Sequence, residues 1–326
     1  MACSADDRRF MAAALALGER GAGRSGLNPS VGCIIVKNDR VVGRGWTQSG
    51  GRPHAEAMAL DQAGSATEGA AIYLTLEPCM HQSERGPACA RSLVEARPRR
   101  VVIAIQDPDP RTAGKGTTLL RHAGIEVESG LMKSEARYSM AGFFTRIEQG
   151  RPHVTLKLAI SLDGKIAMTD GTSRWITGAA ARAHVHLERA RCDIILVGGG
   201  TLAADKPSLD VRLPGIEARS ALRAVLTSQN VPDGWNAIAR PGDVASLQGN
   251  LLLVEGGAAT AASFLKAGLV DRLLLYRAPI LLGAGKACLD DIGLGNLDSA
   301  HGHWKLTDSR MLGLDRMELY DCAQAA

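Results

Sequence analysis

The chain has 326 residues, of which 45% are hydrophobic and 22% charged, with a net charge of +4. That length supports two domains with cores of their own. The mild charge, the 4% aromatic content and the lack of any long Lys/Arg run argue against a nucleic-acid binder, and no apolar stretch of 18 residues is present to span a membrane.

Ser4 and Asp7 have capping-box spacing, which predicts an amphipathic helix over residues 7–20 stopped by Gly21. Cys33-Ile34-Ile35-Val36, a turn at Lys37-Asn38-Asp39 and Arg40-Val41-Val42-Gly43 read as a β-hairpin. An apolar-periodic run (Ala57, Met58, Leu60, Ala63) predicts a helix opened by His54-Ala55-Glu56 and ended by Gly64. Residues 71–76 read as a strand and Cys89 opens another helix. Residues 101–105 are a strand, a helix begins near Thr117, residues 125–127 form a short strand, and residues 134–148 are helical. This alternation predicts a layered α/β domain over residues 1–149, with Gly150-Arg151-Pro152 as the boundary.

Residues 150–326 start again with a strand at 153–159, a turn at Ser161-Leu162-Asp163-Gly164-Lys165 and a helix over 179–191. Strands follow at 193–197, 222–226, 251–254 and 273–276, with a helix over 259–267 and a terminal strand pair near 304–307 and 314–319. Residues 232–250 are poorly patterned and read as loop. Two Gly-rich turns, Gly198-Gly199-Gly200-Thr201 and Glu255-Gly256-Gly257, follow strands and suit a phosphorylated ligand, without matching a dinucleotide or P-loop fingerprint.

The chemistry gathers between His54 and Cys89. One imidazole (His54) and two thiolates (Cys79, Cys89) make a ligand set for a tetrahedral Zn²⁺ that keeps one position open for water, as a catalytic ion needs. Glu56 follows the first ligand by two residues, so it can take a proton from the water and return it to a leaving amine. Cys79 follows a strand and Cys89 opens a helix, where a positive helix end helps to keep a thiolate ionised. The His-x-Glu…Pro-Cys pattern resembles the zinc nucleobase deaminases, with nine residues here in place of the short Cys-x-x-Cys spacing.

Longer motifs resemble one family end to end, the bifunctional deaminase/reductases of riboflavin biosynthesis. In the first half these are Asn28-Pro29-x-Val31-Gly32, His54-Ala55-Glu56, Thr75-Leu76-Glu77-Pro78-Cys79-x-His81, Gly86-Pro87-x-Cys89 and Asp107-Pro108-x-Pro110. In the second they are Leu156-Lys157-Leu158-Ala159-x-Ser161-Leu162-Asp163-Gly164, Ser173-x-Trp175-Ile176-Thr177, Gly198-x-Gly200-Thr201-x-x-x-Asp205-x-Pro207-x-Leu209-x-x-Arg212 and Val254-Glu255-Gly256-Gly257.

The resemblance implies a cytidine-deaminase-like three-layer α/β/α domain and a dihydrofolate-reductase-like α/β domain. It implies zinc-dependent deamination of 2,5-diamino-6-hydroxy-4-(5-phosphoribosylamino)pyrimidine, then NADPH-dependent reduction of the ribosyl side chain to ribityl. Carried over by position, Asn28 and His81 contact the deaminase substrate. Ala159, Trp175, Thr201, Asp205, Ser228 and Gly257 line the NADPH site. Ser173, Arg189, Leu209, Arg212 and Glu255 hold the reductase substrate.

Three departures stand out. Nine residues separate the Cys ligands where the family often has eight; Thr47 stands where the family often has His, removing one expected substrate contact; and Lys206 replaces the second Asp of an Asp-Asp-Pro sequence. By analogy the chain is expected to form a homodimer. The odd, scattered set of seven Cys and the lack of a basic leader before Phe10 point to the cytoplasm. The competing reading is a nucleoside or RNA-base deaminase with a non-catalytic C-terminal binding domain, which would want a basic or aromatic face.

Overall fold

The computed structural model describes residues 4–81 and 86–323 and divides into two compact units, Met1–Gly150 and Arg151–Ala326. In the first unit, helix α1 (Ala5–Gly18) precedes the hairpin β1 (Gly32–Lys37) and β2 (Arg40–Trp46). Helix α2 (Ala55–Ala63), strand β3 (Ala71–Leu74), helix α3 (Cys89–Ala96) and strand β4 (Arg100–Ile103) follow. The unit ends with α4 (Lys115–His122), β5 (Glu126–Ser129), α5 (Lys133–Ser139) and α6 (Ala141–Gln149). The sheet order is β2-β1-β3-β4-β5, antiparallel across β2-β1-β3 and parallel across β3-β4-β5.

Register shows which helix covers which face. Cys33 pairs with Gly45 and Leu74, and Ile35 with Gly43 and Ile72, so these side chains share one face. Helix α2 lies on it: a Cβ on Gly45 would stand 1.9 Å from the Ala55 carbonyl oxygen, and one on Gly43 2.3 Å from that of Ala59. Gly32 and Tyr73 belong to the opposite face, where α1 packs. A Cβ on Gly32 would lie 1.8 Å from the Ala14 carbonyl oxygen, and the Phe10 and Tyr73 rings are 5.3 Å apart. Helices on both faces make the three layers that the sequence implies.

Asp7 ties α1 to the sheet. Its carboxylate accepts hydrogen bonds from Tyr73 Oη (2.7 Å), Arg100 Nη1 (3.0 Å) and the Ser4 N–H (2.8 Å), and the Ser4 hydroxyl accepts from the Asp7 N–H (3.1 Å). Burial alone would raise its pKa, but the bonds from Tyr73, Ser4 and Arg100 outweigh burial and bring it down to about 2.

The second unit is built on an eight-stranded sheet. Its strands are β6 (His153–Ile160), β8 (Ile194–Gly198), β9 (Leu222–Leu226), β10 (Trp235–Ile238), β11 (Leu251–Val254), β12 (Arg272–Arg277), β14 (Trp304–Leu312) and β15 (Asp315–Cys322). The order is β10-β9-β8-β11-β6-β12-β15-β14, parallel as far as β12, with the β14–β15 hairpin antiparallel at the edge. A separate ribbon pairs β7 (Lys165–Ala167) with β13 (Lys286–Ala287). The helices are α7 (Ala179–Arg191), α8 (Gly199–Asp205) and α9 (Ala258–Lys266). Alternate residues of the central strands feed two cores: Leu156, Ile194, Leu196, Leu252 and Val254 face one, Ile195, Val197 and Leu253 the other. Buried on both sides, these strands are continuous apolar runs and are legible as such.

Two expectations fail. The helix over 134–148 is two helices, because Met140 leaves helical geometry at φ −113°, ψ 23°. Residues 232–250, expected to be loop, carry β10 and a 3-10 helix at Pro241–Ser246. Strand β10 is the sheet's edge and buries only Ile238, so it shows no alternating pattern. Among the described residues no helix is long and apolar enough to cross a membrane.

Gly45→Ala is expected to cost about 1–3 kcal/mol by overpacking, seen as a fall of about 2–4 °C per kcal/mol in the melting transition. An unchanged melt would mean that α2 has room to retreat. Asp7 gives a pH dependence of known sign. Its folded pKa lies below the unfolded value of about 4, so its contribution of roughly 2 kcal/mol is full above pH 4 and is lost between about pH 4 and pH 2. Melts of Asp7→Asn should be less stable at pH 7 and lack this component of the acid loss; parallel wild-type and variant curves would refute the assignment.

Candidate metal centre and cofactor cleft

In the first unit the backbone carries three donors to one point. His54 is the N-cap of α2, Cys79 follows β3, and Cys89 opens α3. Their donor atoms all lie within 4.8 Å of one another. His54 Nδ1 is 3.3 Å from Cys89 Sγ and 3.6 Å from Cys79 Sγ. A tetrahedral zinc with nitrogen at about 2.0–2.1 Å and sulfur at about 2.3 Å has donor–donor edges of about 3.6–3.8 Å. The triangle fits that ion, and its soft donors suit it. The Cys89 N–H also points at Cys79 Sγ (3.4 Å), a helix-start donor aimed at a thiolate.

The protons report the same design. A hydrogen bond from Cys89 draws the Cys79 thiol down to about 4, and the same contact, with burial, pushes Cys89 up. Two sulfurs that share one proton in this way lose it together once a dication sits between them. Glu56 is buried, and burial raises its pKa. Its carboxyl contacts Cys89, beside the donor triangle. A carboxyl held there with raised proton affinity can accept a proton and give it back.

The surrounding loops are fastened by polar contacts. Buried Glu77 accepts from the Gly114 and Thr117 N–H groups (both 2.9 Å), holding the segment after β4 against the Cys79 strand. Asn28 packs on Gly51, whose φ of +82° leaves no space for a Cβ: the Asn28 amide nitrogen would stand 2.0 Å away. His81 Nδ1 is buried and has no hydrogen-bond partner among the described residues, as a group reserved for a ligand would be. Thr47, in the place of the expected His, is a clamp. It accepts from the Val31 N–H (2.9 Å) and donates to the Pro29 carbonyl (2.9 Å), holding the Asn28–Val31 segment. Part of the nine-residue loop between the Cys ligands, residues 82–85, lies outside the described residues.

The second unit holds a cleft of about 690 Å³ at the carboxyl ends of its parallel strands. Of the residues expected there, Ala159, Ser173, Trp175, Arg189, Thr201, Asp205, Leu209, Arg212 and Glu255 line it. Gly257 and Ser228 do not. Gly256 takes the place of Gly257, and Ser228 lies between Thr227 and Gln229, which line a second hollow of about 490 Å³. The Gly-rich turns have a packing reason as well: a Cβ on Gly198 would lie 2.1 Å from Thr260 Oγ1, and one on Gly256 2.5 Å from Thr260 Cβ. Gly200 faces open space, and Gly257 meets only Thr201 Oγ1 at 3.9 Å.

Arg189 is not a free phosphate fork. Its Nε and Nη2 donate to the two Glu255 oxygens at 2.7 and 2.9 Å, and Lys157 Nζ donates to Glu255 at 3.4 Å. Burial would raise the Glu255 pKa, but Lys157 and Arg189 bring it down to about 2, so it stays ionised. Lys157, Arg174, Arg182 and His186 line the cleft too and were not assigned from the sequence. The signal was there. Lys157 is two residues before Ala159 on β6, and Arg182, Val185, His186 and Arg189 repeat at i, i+3, i+4, i+7 on α7. In all, six Lys/Arg side chains line the cleft against Asp205 and Glu255. Trp175 is 64% exposed at its mouth, with the Arg182 guanidinium 4.6 Å from its ring centroid.

Fold and sites together define a zinc deaminase unit joined in one chain to a reductase-type unit. Residues 4–105 match the cytidine and deoxycytidylate deaminase zinc-binding region, and residues 152–241 and 243–316 match the RibD C-terminal domain. Relatives include riboflavin biosynthesis protein RibD of Escherichia coli K12 (38% identical, 95% of this chain and 97% of that one) and of Aquifex aeolicus (36%, 90% and 92%). Among solved structures, Acinetobacter baumannii RibD, form 1, is 35% identical with a TM-score of 0.86, covering 97% of this chain and 99% of that one. A Thermotoga maritima diaminohydroxyphosphoribosylaminopyrimidine deaminase/5-amino-6-(5-phosphoribosylamino)uracil reductase is 28% identical with a TM-score of 0.87, covering 97% and 98%. The chain belongs to the RibD family, the bifunctional zinc deaminase and NADPH-dependent reductases of riboflavin biosynthesis.

Purified wild-type protein should carry about one zinc per chain by elemental analysis, and Cys79→Ala or Cys89→Ala well under a tenth of that, since a site with one donor removed loses most of its affinity. Glu56→Gln should keep its zinc. Zinc retained in both Cys variants would move the metal elsewhere.

Proposed function

We propose that residues 1–149 deaminate 2,5-diamino-6-hydroxy-4-(5-phosphoribosylamino)pyrimidine and that residues 150–326 reduce the deaminated product, turning its ribosyl side chain into ribityl. The observation that carries this reading is the donor triangle with a buried carboxyl beside it. Zinc, when bound by His54, Cys79 and Cys89, supplies a Lewis acid that activates water at neutral pH. Glu56 takes the proton of the attacking water and passes it to the exocyclic amine nitrogen, so that ammonia leaves and a carbonyl remains. Asn28 and His81 hold the pyrimidine edge.

In the second unit NADPH supplies the hydride when bound. Ala159, Trp175, Thr201 and Asp205 hold the cofactor, with Ser228 and the Gly257 turn at its far end. Ser173, Leu209 and Arg212 hold the substrate. Glu255 serves by gripping Arg189 and Lys157: the trio keeps one net positive charge at the cleft floor, suited to a ribose phosphate. The excess of cations in the cleft favours a phosphorylated small molecule over a polymer. The described cysteines are all unpaired, in keeping with a reducing cytoplasm. Dimerisation through the β14 edge would cover Leu306 and Met311, which are exposed there.

A coupled assay with the phosphoribosylated diaminopyrimidinone separates the steps by following ammonia release and NADPH oxidation. Glu56→Gln should slow ammonia release by about 10²–10⁴-fold and restore NADPH oxidation only when deaminated intermediate is added. Ammonia without NADPH consumption, even with intermediate supplied, would remove the reductase half of the proposal. No ammonia from zinc-loaded wild type would remove the substrate assignment.

A further inference from the structure

The cleft of the second unit holds one imidazole that the chemistry above leaves unused. His186 lies on α7, half-buried, three residues before Arg189, and lines the cleft. Its Nδ1 is turned to the backbone after α8. The Arg212 N–H donates to it at 3.2 Å, and the Asp210 carbonyl oxygen stands at the same 3.2 Å. That carbonyl also accepts from Arg189 Nη1 (3.2 Å), so the ring sits between Arg189 and Arg212. Nε2 is left for the cleft, and it makes no hydrogen bond among the described residues.

A half-buried histidine usually serves packing, with one ring nitrogen bonded and the other in water. Two features go beyond that. First, Nδ1 has a partner in either protonation state. A ring with its proton on Nε2 accepts from the Arg212 N–H, and a ring protonated at Nδ1 donates to the Asp210 carbonyl instead. The ring can therefore gain and lose a proton with little rearrangement around it. Second, the other ionisable groups of the cleft are committed. Guanidinium groups keep their protons. Glu255 is ionised, and Lys157 is bound with Arg189 into the same trio. Asp205 and Lys206 stand at the end of α8, on the wall given above to the cofactor. His186 is the one imidazole among the lining residues, and it stands beside Arg212.

Resting on the reductase reading, we propose that His186 is the general acid that opens the ribose ring, giving its Nε2 proton to the ring oxygen O4′. Turning a ribosyl group into a ribityl group breaks the C1′–O4′ bond, so that oxygen must gain a proton. The bonding pair goes to O4′, which takes the proton from His186, while the lone pair of the glycosidic nitrogen makes a C=N bond to C1′. C1′ is then the acceptor for the hydride that NADPH brings, and the C=N pair returns to nitrogen. His186 regains its proton from solvent, so one NADPH and one proton are consumed per turnover. After donation the ring keeps its Nδ1–H on the Asp210 carbonyl. The substrate's phosphate takes part. In the free protein burial, Arg189 and Arg212 hold the His186 pKa below its ordinary value, while the Asp210 carboxylate, 3.5 Å from Arg212, acts the other way. Glu255 and Lys157 lie beyond Arg189. A phosphate held at Arg212 opposes the two arginines and favours the charged ring, so a phosphorylated substrate charges its own acid.

The test uses the full chain with deaminated intermediate supplied, comparing wild type, His186→Asn and His186→Gln. Asn keeps an acceptor near the place of Nδ1 and Gln a donor near that of Nε2, and neither gives up a proton. Calorimetry with NADPH checks the fold of the second unit, and both variants should bind it within about threefold of wild type. Both should lose about 10²–10⁴-fold in kcat for NADPH oxidation, with KM within about threefold. Wild-type kcat should fall as pH rises, with a higher midpoint in kcat than in kcat/KM, and the variants should lack that limb. Deuterium at the transferred position of NADPH should slow wild type, and this isotope effect should fall towards unity in the variants, where ring opening limits the rate. A readout without turnover is the His186 C2–H signal in NMR, assigned by its loss in the variants. Its midpoint should move to higher pH when deaminated intermediate binds without NADPH. Should the variants lose NADPH binding, the wild-type pH profile and this titration decide alone. Unchanged kcat in both variants, a rise in KM alone, an isotope effect retained while kcat falls, or a His186 signal that the intermediate leaves unmoved would overturn the assignment and leave the reductase standing. Wild type that consumes no NADPH with intermediate supplied would bring down the reductase reading and this inference with it.

Discussion

The metal centre depends on how closely α2 lies on the β1–β2 hairpin. His54 and Glu56 stand at the first turn of that helix, and the helix touches the sheet through backbone. Gly43 and Gly45 leave so little space that an added Cβ would enter the carbonyls of Ala59 and Ala55. A spacing set by backbone is stiffer than one set by side chains, because no rotamer can absorb a shift. The same sheet carries Cys79 beyond the end of β3, so two of the three donors share one rigid reference. Cys89 is added by the first turn of α3, whose N–H reaches Cys79 Sγ. The donor edges therefore come close to those zinc wants before any ion is considered.

The two units solve the problem of buried charge in opposite ways. In the first, burial and the contacts among the donors set where the protons sit: Cys79 gives one up while Cys89 and Glu56 hold theirs more tightly. That arrangement is poised for a metal. In the second, Glu255 is buried as an ion and is matched by Arg189 and Lys157 from two other elements. This trio costs desolvation, and it fixes α7 against β6 and β11 at the floor of the cleft. Asp7 does the same service in the first unit, joining α1, β3 and β4 through Tyr73 and Arg100. Buried carboxylates with several donors mark the places where elements must hold one relative position.

The elements that the sequence made legible were those with a strong period or a strong stop. The capping box at Ser4 and Asp7, the Gly64 stop after α2 and the apolar runs of β6, β8 and β11 all encode their structure locally. The zinc donors were legible too, because their chemistry leaves a pattern of residue types. What escaped depended on neighbours distant in sequence. Strand β10 is defined by pairing with β9, and its own residues show no alternation. The break at Met140 has no Pro to announce it, and the nearby Gly142 lies inside α6 and not at the break. Thr47 read as the loss of a substrate contact, yet its hydroxyl is held by Val31 and Pro29, sixteen and eighteen residues away. Arg189 and Glu255 read as two separate substrate contacts, and only the fold shows Glu255 occupying the Arg189 fork.

Both sites follow one rule of α/β architecture, in which ligands gather beyond the carboxyl ends of parallel strands. Cys79 comes after β3 and the Asp107–Asp109 turn after β4. In the second unit Ala159, Val197 and Glu255 stand at or just past the ends of β6, β8 and β11. The strands carry little chemistry themselves, since their residues serve the cores on either face. Function is thus concentrated in short segments after each strand, where a single substitution changes charge without disturbing packing. Lys206 is of this kind. It lies past the end of α8, is exposed, and occupies a backbone position set by helix termination. A change of charge there alters the field over two adjoining cavities while leaving the scaffold beneath unchanged.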